Sequence, residues 1–180
     1  MSVPTPGVIV ITGVMAAGKS TVAQLLAERL PLAAHVRGDV FRRMVVTNRE
    51  ELTPEQTTEA TAQLWLRYRL AASVADAYAE AGFAAVVQDV VLGPELTEYV
   101  DLLTARPRHL VVLAPRPEVV QTRENTRGKR GYGDWTVEVL DRSLRRDTPR
   151  IGLWLDNSDQ TPDETVDEIL AKLSDARLPD

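Results

Sequence analysis

Apolar runs and helical patterns alternate along the whole chain. Short apolar stretches suited to buried strands occupy 8–12, 33–37, 84–88, 110–114 and 151–155. Between them, apolar residues recur at helical spacing, which predicts helices near 18–30, 39–46, 54–81, 94–104, 116–126, 136–147 and 162–173. Such alternation favours a parallel sheet covered by helices on both faces. The pattern therefore predicts an α/β fold.

Proline and glycine fall where these elements should end. Pro31, Gly82, Pro107 and Pro149 separate predicted strands from helices, and Pro162 opens the last helix. With 180 residues, no internal repeat and no low-complexity segment, the chain has the size of one domain. We predict a single domain over 1–180.

The composition argues against several kinds of partner and site. The net charge of −5 gives no reason to expect nucleic acid as a partner, and the absence of cysteine excludes disulfides, thiolate metal sites and cysteine nucleophiles. No apolar run approaches the roughly 20 residues of a membrane span, and the first residues lack a signal-peptide pattern. The expectation is a cytoplasmic protein, monomeric or homodimeric, without membrane contact.

The strongest chemical signal is the match of residues 13–20 to the phosphate-binding pattern G-x-x-x-x-G-K-[ST]. It lies between a predicted strand and a predicted helix N-terminus, where backbone N–H groups and the helix dipole favour phosphate. Lys19 is expected to reach the β- and γ-phosphates and Ser20 to bind Mg²⁺. The alternative is a merely structural glycine turn. The residues assigned to the nucleotide are Gly13, Val14, Met15, Ala16, Ala17, Gly18, Lys19, Ser20 and Thr21.

A second candidate residue, Asp39, directly follows the second predicted strand. In a doubly wound sheet, ligands gather at the carboxyl ends of the strands, so Asp39 should lie near Lys19 and Ser20. Its carboxylate could accept the proton of a substrate hydroxyl, or hold Mg²⁺ through water. Alternatively, Asp39 caps a helix that begins at Val40.

Other charged residues near these strand ends are candidates for the substrate or the metal. Arg42 and Arg43 either form a solvated face or fix a polar substrate. Asp89, at the end of the third predicted strand, is a candidate for the magnesium shell or the substrate pocket, although any aspartate before a turn has the same pattern.

The long predicted helix 54–81 carries two aromatic residues of interest. Trp65 and Tyr68 are either core residues or walls of a substrate pocket that stack on a planar group. In the second case, Arg67 or Arg69 would reach an anion.

Residues 123–135 combine four cations with three glycines and are predicted to form a lid. Closing it would bring Arg123, Arg127 and Arg130 to the phosphates, where they would bind ATP and stabilise the transition state. The alternative is an exposed basic loop.

Four segments together resemble the small P-loop kinases, most closely the chloramphenicol phosphotransferase-like proteins, with gluconate and shikimate kinases and zeta toxins more distant. These segments are 13–20, 38–39, 123–130 and 153–162. The resemblance implies a five-stranded parallel sheet in the order 2-3-1-4-5, use of ATP and Mg²⁺, and a mobile lid. It also implies that Asp39 is the catalytic base and that loop 157–162 packs against adenine.

The function predicted is transfer of the γ-phosphate of ATP to a hydroxyl of a small molecule such as an antibiotic, a nucleoside or a sugar. One alternative is a P-loop switch or ATPase with a macromolecular partner. The chain lacks the N-K-x-D and D-x-x-G sequences that guanine-nucleotide switches use. Another is a zeta-toxin-like kinase of a nucleotide sugar.

Overall fold

The computed structural model describes residues 7–126 and 133–179. The strands are β1 Val8–Gly13, β2 Ala33–Arg37, β3 Ala84–Gln88, β4 Arg108–Leu113 and β5 Leu153–Leu155. The helices are α1 Lys19–Arg29, α2 Gly38–Arg43, α3 Thr58–Glu80, α4 Glu95–Asp101, α5 Pro117–Thr126, α6 Val137–Arg142 and α7 Pro162–Ala171.

The strands form one parallel sheet in the order β2-β3-β1-β4-β5. The central strand β1 pairs with β3 on one side and β4 on the other, so that Val8 lies opposite Ala85 and Arg108. Helices flank the sheet. The predicted fold class and strand order are confirmed.

The three inner strands form the centre of the core. Every residue of β1, β3 and β4 is buried, and most of them are Val, Ile, Leu or Ala. Strands covered on both faces need such continuous apolar runs, which explains why these segments could be recognised in the sequence. The edge strand β2 is only partly buried.

Several boundaries differ from the predicted ones for local reasons. The long helix begins at Thr58, because the Thr57 side chain caps it by accepting from the N–H of Ala60. Strand β5 begins only at Leu153, after Gly152 with φ 69°. Helices α2 and α4 end at Arg43 and Asp101, three residues before their predicted ends at 46 and 104.

The predicted helix 136–147 consists of two parts. Helix α6, capped by Thr136, passes into a π-helical turn over Ser143–Asp147. The buried Thr148 ends this turn: its hydroxyl donates to the carbonyl of Ser143 at 2.9 Å and accepts from the N–H of Gly93 at 2.7 Å. The turn thus ties the end of α6 to the loop after β3.

Across residues 7–126 and 133–179, no helix combines the length and apolar character needed to cross a membrane.

Candidate active site

The loop between β1 and α1 has the backbone conformation of a phosphate cradle. Gly13 and Gly18 have φ values of 147° and 97°, which side-chain-bearing residues rarely adopt. A Cβ at Gly13 would lie 2.4 Å from the carbonyl oxygen of Leu113 in β4. Backbone geometry therefore favours glycine at both positions, and the approach of β4 adds a steric requirement at Gly13.

Helix α1 leaves its first N–H groups open to a ligand. Its N-cap, Gly18, makes no side-chain capping bond, so the helix N-terminus keeps its affinity for an anion. Lys19 is only 8% exposed, and its Nζ donates to the carbonyl of Val14 at 2.7 Å. Ser20 and Thr21 follow on the exposed side of the first turn. The ammonium group and the hydroxyls thus lie at the same end of the helix.

Asp39 lies at the carboxyl end of β2 as the second residue of α2. The hypothesis that it caps a helix starting at Val40 is wrong, because α2 begins at Gly38 and its N-cap is Arg37. The Asp39 carboxylate lies 3.1 Å from Arg43 and 3.7 Å from Arg37. Its Oδ1 is buried and accepts no hydrogen bond from the residues that the structure describes. This oxygen has the capacity to accept a proton or a hydrogen bond.

The arginines of α2 are already paired with carboxylates of the chain. Arg43 pairs with Asp39, and Nη1 of Arg42 makes close contacts with both carboxylate oxygens of Glu51, which also lies 3.3 Å from Arg49. These side chains are partly exposed, so their ion pairs are weak and can open. Contact of Arg42 or Arg43 with a substrate stays a prediction.

Asp89 is part of a buried ion pair. Its side chain has no exposed surface, and Arg67 of α3 binds it through Nε at 2.8 Å and through a second close contact from Nη2. The N–H of Val90 donates to the same carboxylate at 2.7 Å. Burial alone would lower the pKa of Arg67, but the charge and hydrogen bonds of Asp89 raise it, so Arg67 stays charged.

Gly38 makes room for this pair, since a Cβ there would lie 1.8 Å from Oδ2 of Asp89. Substrate contact by Asp89 was a wrong prediction, because the carboxylate is enclosed by Arg67, Val90 and Gly38. Its part in the magnesium shell stays a prediction.

Tyr68 belongs to the core. It is 3% exposed, its hydroxyl donates to the carbonyl of Val90 at 3.0 Å, and its ring makes edge contacts with Trp65 and Tyr99. The prediction that Tyr68 stacks on a substrate is wrong, because the buried ring leaves almost no surface for a ligand. Trp65 is half-buried, and its contact with a substrate stays a prediction.

Arg123 joins three elements around the phosphate loop. From α5 its guanidinium donates to the carbonyl of Asn157 at 2.9 Å and to that of Ala17 at 3.4 Å. The side-chain amide of Asn157 donates to the same Ala17 carbonyl at 3.0 Å. The family resemblance pointed to loop 157–162 as a neighbour of adenine, but no sequence pattern indicated that Asn157 contacts the phosphate loop.

Residues 127–132 of the predicted lid, among them Arg127 and Arg130, fall outside the described residues, and the roles of these two arginines stay predictions. At its far end, the Trp135 indole N–H donates to the carbonyl of Leu52 at 3.0 Å. Leu52 belongs to the connection between α2 and α3. The far end of the predicted lid therefore contacts the connection that follows α2, the helix of Asp39, which the sequence did not indicate.

A cleft of about 340 Å³ lies between α1 and β2. It is lined by Ser20, Thr21, Gln24, Leu25, Glu28, His35 and Arg37. Gln24 donates to Glu28 at 2.9 Å, which turns its oxygen toward Nδ1 of His35, also at 2.9 Å. Because that oxygen can only accept, Nδ1 carries the proton. Burial and the charge of Arg37 lower the pKa of His35, so the ring is neutral near pH 7.

The donor set suits a hard cation that binds only a few protein oxygens. In the part of the chain that the structure describes, no three His, Cys, Asp or Glu residues cluster as metal ligands. The Ser20 hydroxyl and the Oδ1 of Asp39 are oxygen donors of the kind that Mg²⁺ prefers, and Mg²⁺ commonly completes its shell with phosphates and water. The residues present fit Mg²⁺ bound together with a nucleotide.

Solved structures share this fold across nearly the whole chain. A sugar kinase from Janibacter sp. HTCC2649 is 23% identical, with a TM-score of 0.70 over 94% of this chain and 95% of its own. An APS kinase from Mycobacterium tuberculosis, solved in complex with AMPPNP and APS, is 19% identical, with a TM-score of 0.68 over 96% of this chain and 99% of its own. At these identities the likeness concerns the fold.

Two further comparisons concern the sequence. A curated protein of Aeropyrum pernix, named a UPF0200 protein, is 38% identical over 64 residues, which are 36% of this chain and 34% of that protein. The chain thus spans about a third of the length of this curated relative. Residues 8–149, which include the phosphate loop, Asp39 and Arg123, match the family model described as an AAA domain. The match covers well over half of the chain, which therefore belongs to this AAA domain family.

Proposed function

We propose that this protein is an ATP- and Mg²⁺-dependent phosphotransferase that moves the γ-phosphate to a hydroxyl of a small molecule. One observation carries the proposal: a phosphate cradle with a buried lysine shares the carboxyl edge of the sheet with Asp39, whose Oδ1 has no hydrogen-bond partner among the described residues. The names of the structural relatives, a sugar kinase and an APS kinase, support the same class of reaction.

The residues of the phosphate loop bind and orient the nucleotide. The N–H groups around Gly18 and the N-terminus of α1 hold phosphate oxygens. Lys19 exchanges the Val14 carbonyl for the β- and γ-phosphates, where its charge offsets the charge that spreads in the transition state.

Asp39 takes the proton of the attacking hydroxyl. The hydroxyl oxygen forms a bond to the γ-phosphorus, the bond to the β,γ-bridging oxygen breaks, and ADP leaves with the bonding electrons. Arg43 and Arg37 hold the carboxylate on the side facing this edge of the sheet. Asp39 is thus a general base whose orientation is set by its neighbours.

Ser20 would hold Mg²⁺ directly and Asp39 or Asp89 would hold it through water, with Asp89 as the more distant candidate behind Gly38. When bound, Mg²⁺ would neutralise part of the phosphate charge. Arg123, Arg127 and Arg130 are proposed to act on the nucleotide from the lid side. For Arg123, its contact with the Ala17 carbonyl supports this placement.

The test is a screen for ATP consumption with antibiotics, nucleosides, sugars, sugar acids and nucleotide sugars, each against a blank without acceptor. The proposal predicts that at least one class raises ADP formation and yields a phosphorylated product. ATP hydrolysis at the same rate with and without every acceptor would favour the ATPase or switch alternative.

A further inference from the structure

We propose that Asn157 is a positioning residue for the phosphate loop: its side-chain amide, together with Arg123, holds the Ala17 carbonyl away from the ligand, so that the Gly18 N–H faces the phosphates. The proposal rests on the nucleotide-binding part of the proposed function. It assigns to loop 157–162 a role in phosphate binding, in addition to the contact with adenine that the family resemblance implies.

Two donors from separate elements meet at one carbonyl oxygen. Asn157, in the loop after β5, approaches Ala17 O with Nδ2 at 3.0 Å, and Arg123 of α5 approaches it with Nη1 at 3.4 Å. The second nitrogen of the Arg123 fork binds the Asn157 carbonyl at 2.9 Å, which fixes the two donors relative to each other. Ala17 itself is fully buried.

The geometry of the peptide unit links this carbonyl to the phosphate site. Ala17 O and the Gly18 N–H belong to one trans peptide, in which the C=O and N–H bonds point in opposite directions. Ala17 is held on its other side, because its N–H donates to the Val14 carbonyl at 3.2 Å. A carbonyl pinned toward Asn157 therefore turns the next N–H toward the opposite side, into the cradle.

Without such a restraint the peptide unit would be less well defined. Gly18 has φ 97° and no side chain, so the Ala17–Gly18 unit has access to more backbone conformations than any other residue type would allow. In a flipped unit, a carbonyl oxygen would point at phosphate oxygens and repel them. The hydrogen bonds to the Ala17 carbonyl thus fix the orientation of a peptide unit that glycine leaves flexible.

Asn157 is suited to this role by its chemistry and its burial. It is 3% exposed, and its Nδ2 lies 3.6 Å from the position that a Cβ on Gly18 would take. Because a carbonyl can only accept, the contact needs a donor; an aspartate would place a carboxylate oxygen against Ala17 O.

Asn157→Leu keeps the approximate volume and removes the donor, and Asn157→Asp keeps the shape. Binding of MgATP, of magnesium pyrophosphate and of adenosine would be measured by calorimetry, and folding by thermal melting. We expect Kd for MgATP and pyrophosphate to rise about tenfold in both variants, the effect of one ordered hydrogen bond, with adenosine affinity unchanged. Gln121→Leu, an exposed amide on α5 whose partner is Asn125, is the control and should bind as wild type.

Arg123 is half-exposed, so Arg123→Lys should fold normally. This variant should also bind magnesium pyrophosphate more weakly than wild type. If the folded Asn157 variants bind pyrophosphate with wild-type affinity, the proposal is overturned. It is also overturned if their affinity for adenosine falls as much as their affinity for pyrophosphate, because that result would indicate that Asn157 contacts adenine. If neither Asn157 variant folds, Arg123→Lys decides, and wild-type pyrophosphate binding would overturn the proposal. A wild-type protein that binds no MgATP would instead overturn the proposed function itself.

Discussion

Lys19 is the residue on which nucleotide binding should depend most. In the structure its ammonium is held against its own loop by the Val14 carbonyl, which keeps the charge ordered before a phosphate arrives. The same loop contains Ala16 at φ 63°, a conformation that costs a non-glycine residue energy and that recurs at functional sites.

Lys19→Ala should remove nearly all ATP turnover and leave the fold intact. The lost charge should reduce turnover by on the order of 10²-fold or more, while the lost hydrogen bond to Val14 costs only about 1 kcal/mol of stability. ATP consumption and thermal melting measure the two effects. Lys172→Ala removes an exposed lysine paired with Glu168 and should change neither. A folded Lys19→Ala protein with normal turnover would contradict the assignment of the phosphate loop.

His35 should make stability depend on pH in a defined direction. Burial and Arg37 lower its pKa below the ordinary 6.5, whereas Asp39 acts in the opposite sense. As pH falls through this range, the unfolded chain takes up a proton before the folded one does, so stability decreases on acidification. Urea unfolding at pH 7.5 and 5.5 should show that the free energy of unfolding decreases less between these pH values for His35→Gln than for wild type. Equal losses would contradict the burial of a neutral ring.

At the level of elements, α3 is fixed to the sheet by the Arg67–Asp89 pair. The sequence predicted the helix from its periodicity and suggested that Arg67 or Arg69 reaches an anion. The structure shows that the anion is internal and that only Arg67 faces it, since Arg69 is exposed. The periodicity of the sequence could not distinguish Arg67 from Arg69, because it does not show which face of the helix meets β3.

Arg67→Leu should destabilise the protein strongly, by about 3–5 kcal/mol, because it leaves the Asp89 carboxylate buried without its partner. Arg69→Leu is the matched control on the exposed side and should change the free energy of unfolding by less than about 0.5 kcal/mol. Denaturant unfolding gives both values. Similar effects of the two substitutions would contradict the buried pair.

The elements themselves could be predicted to different degrees. Strands β2 and β3 match their predicted ranges, because breakers and apolar runs coincide there. The π-helical turn after α6 could not be predicted, because it depends on Thr148 and on the distant Gly93. The Asn157–Ala17 contact escaped prediction for the same reason, as it joins residues 140 positions apart.

At the scale of the whole molecule, the sheet order determines which residues meet. Alternating strands and helices predicted a parallel sheet, but the order with β3 between β1 and β2 came only from the family resemblance. This order places the phosphate loop after β1 at the same edge as Asp39 after β2, with Asp89, the residue after β3, buried between them. Loop contacts such as that of Trp135 with Leu52 could not be derived from the sequence, because they join segments that are distant along the chain.

The most direct test of the proposed kinase compares wild type with Asp39→Asn for transfer of phosphate from ATP to the acceptor that the screen identifies. Asparagine keeps the shape of the side chain but loses the proton acceptor. We expect unchanged ATP affinity by calorimetry, because the phosphate loop is intact, and a fall in transfer rate of roughly 10²–10⁴-fold. Transfer at the wild-type rate in a folded Asp39→Asn protein would contradict the account.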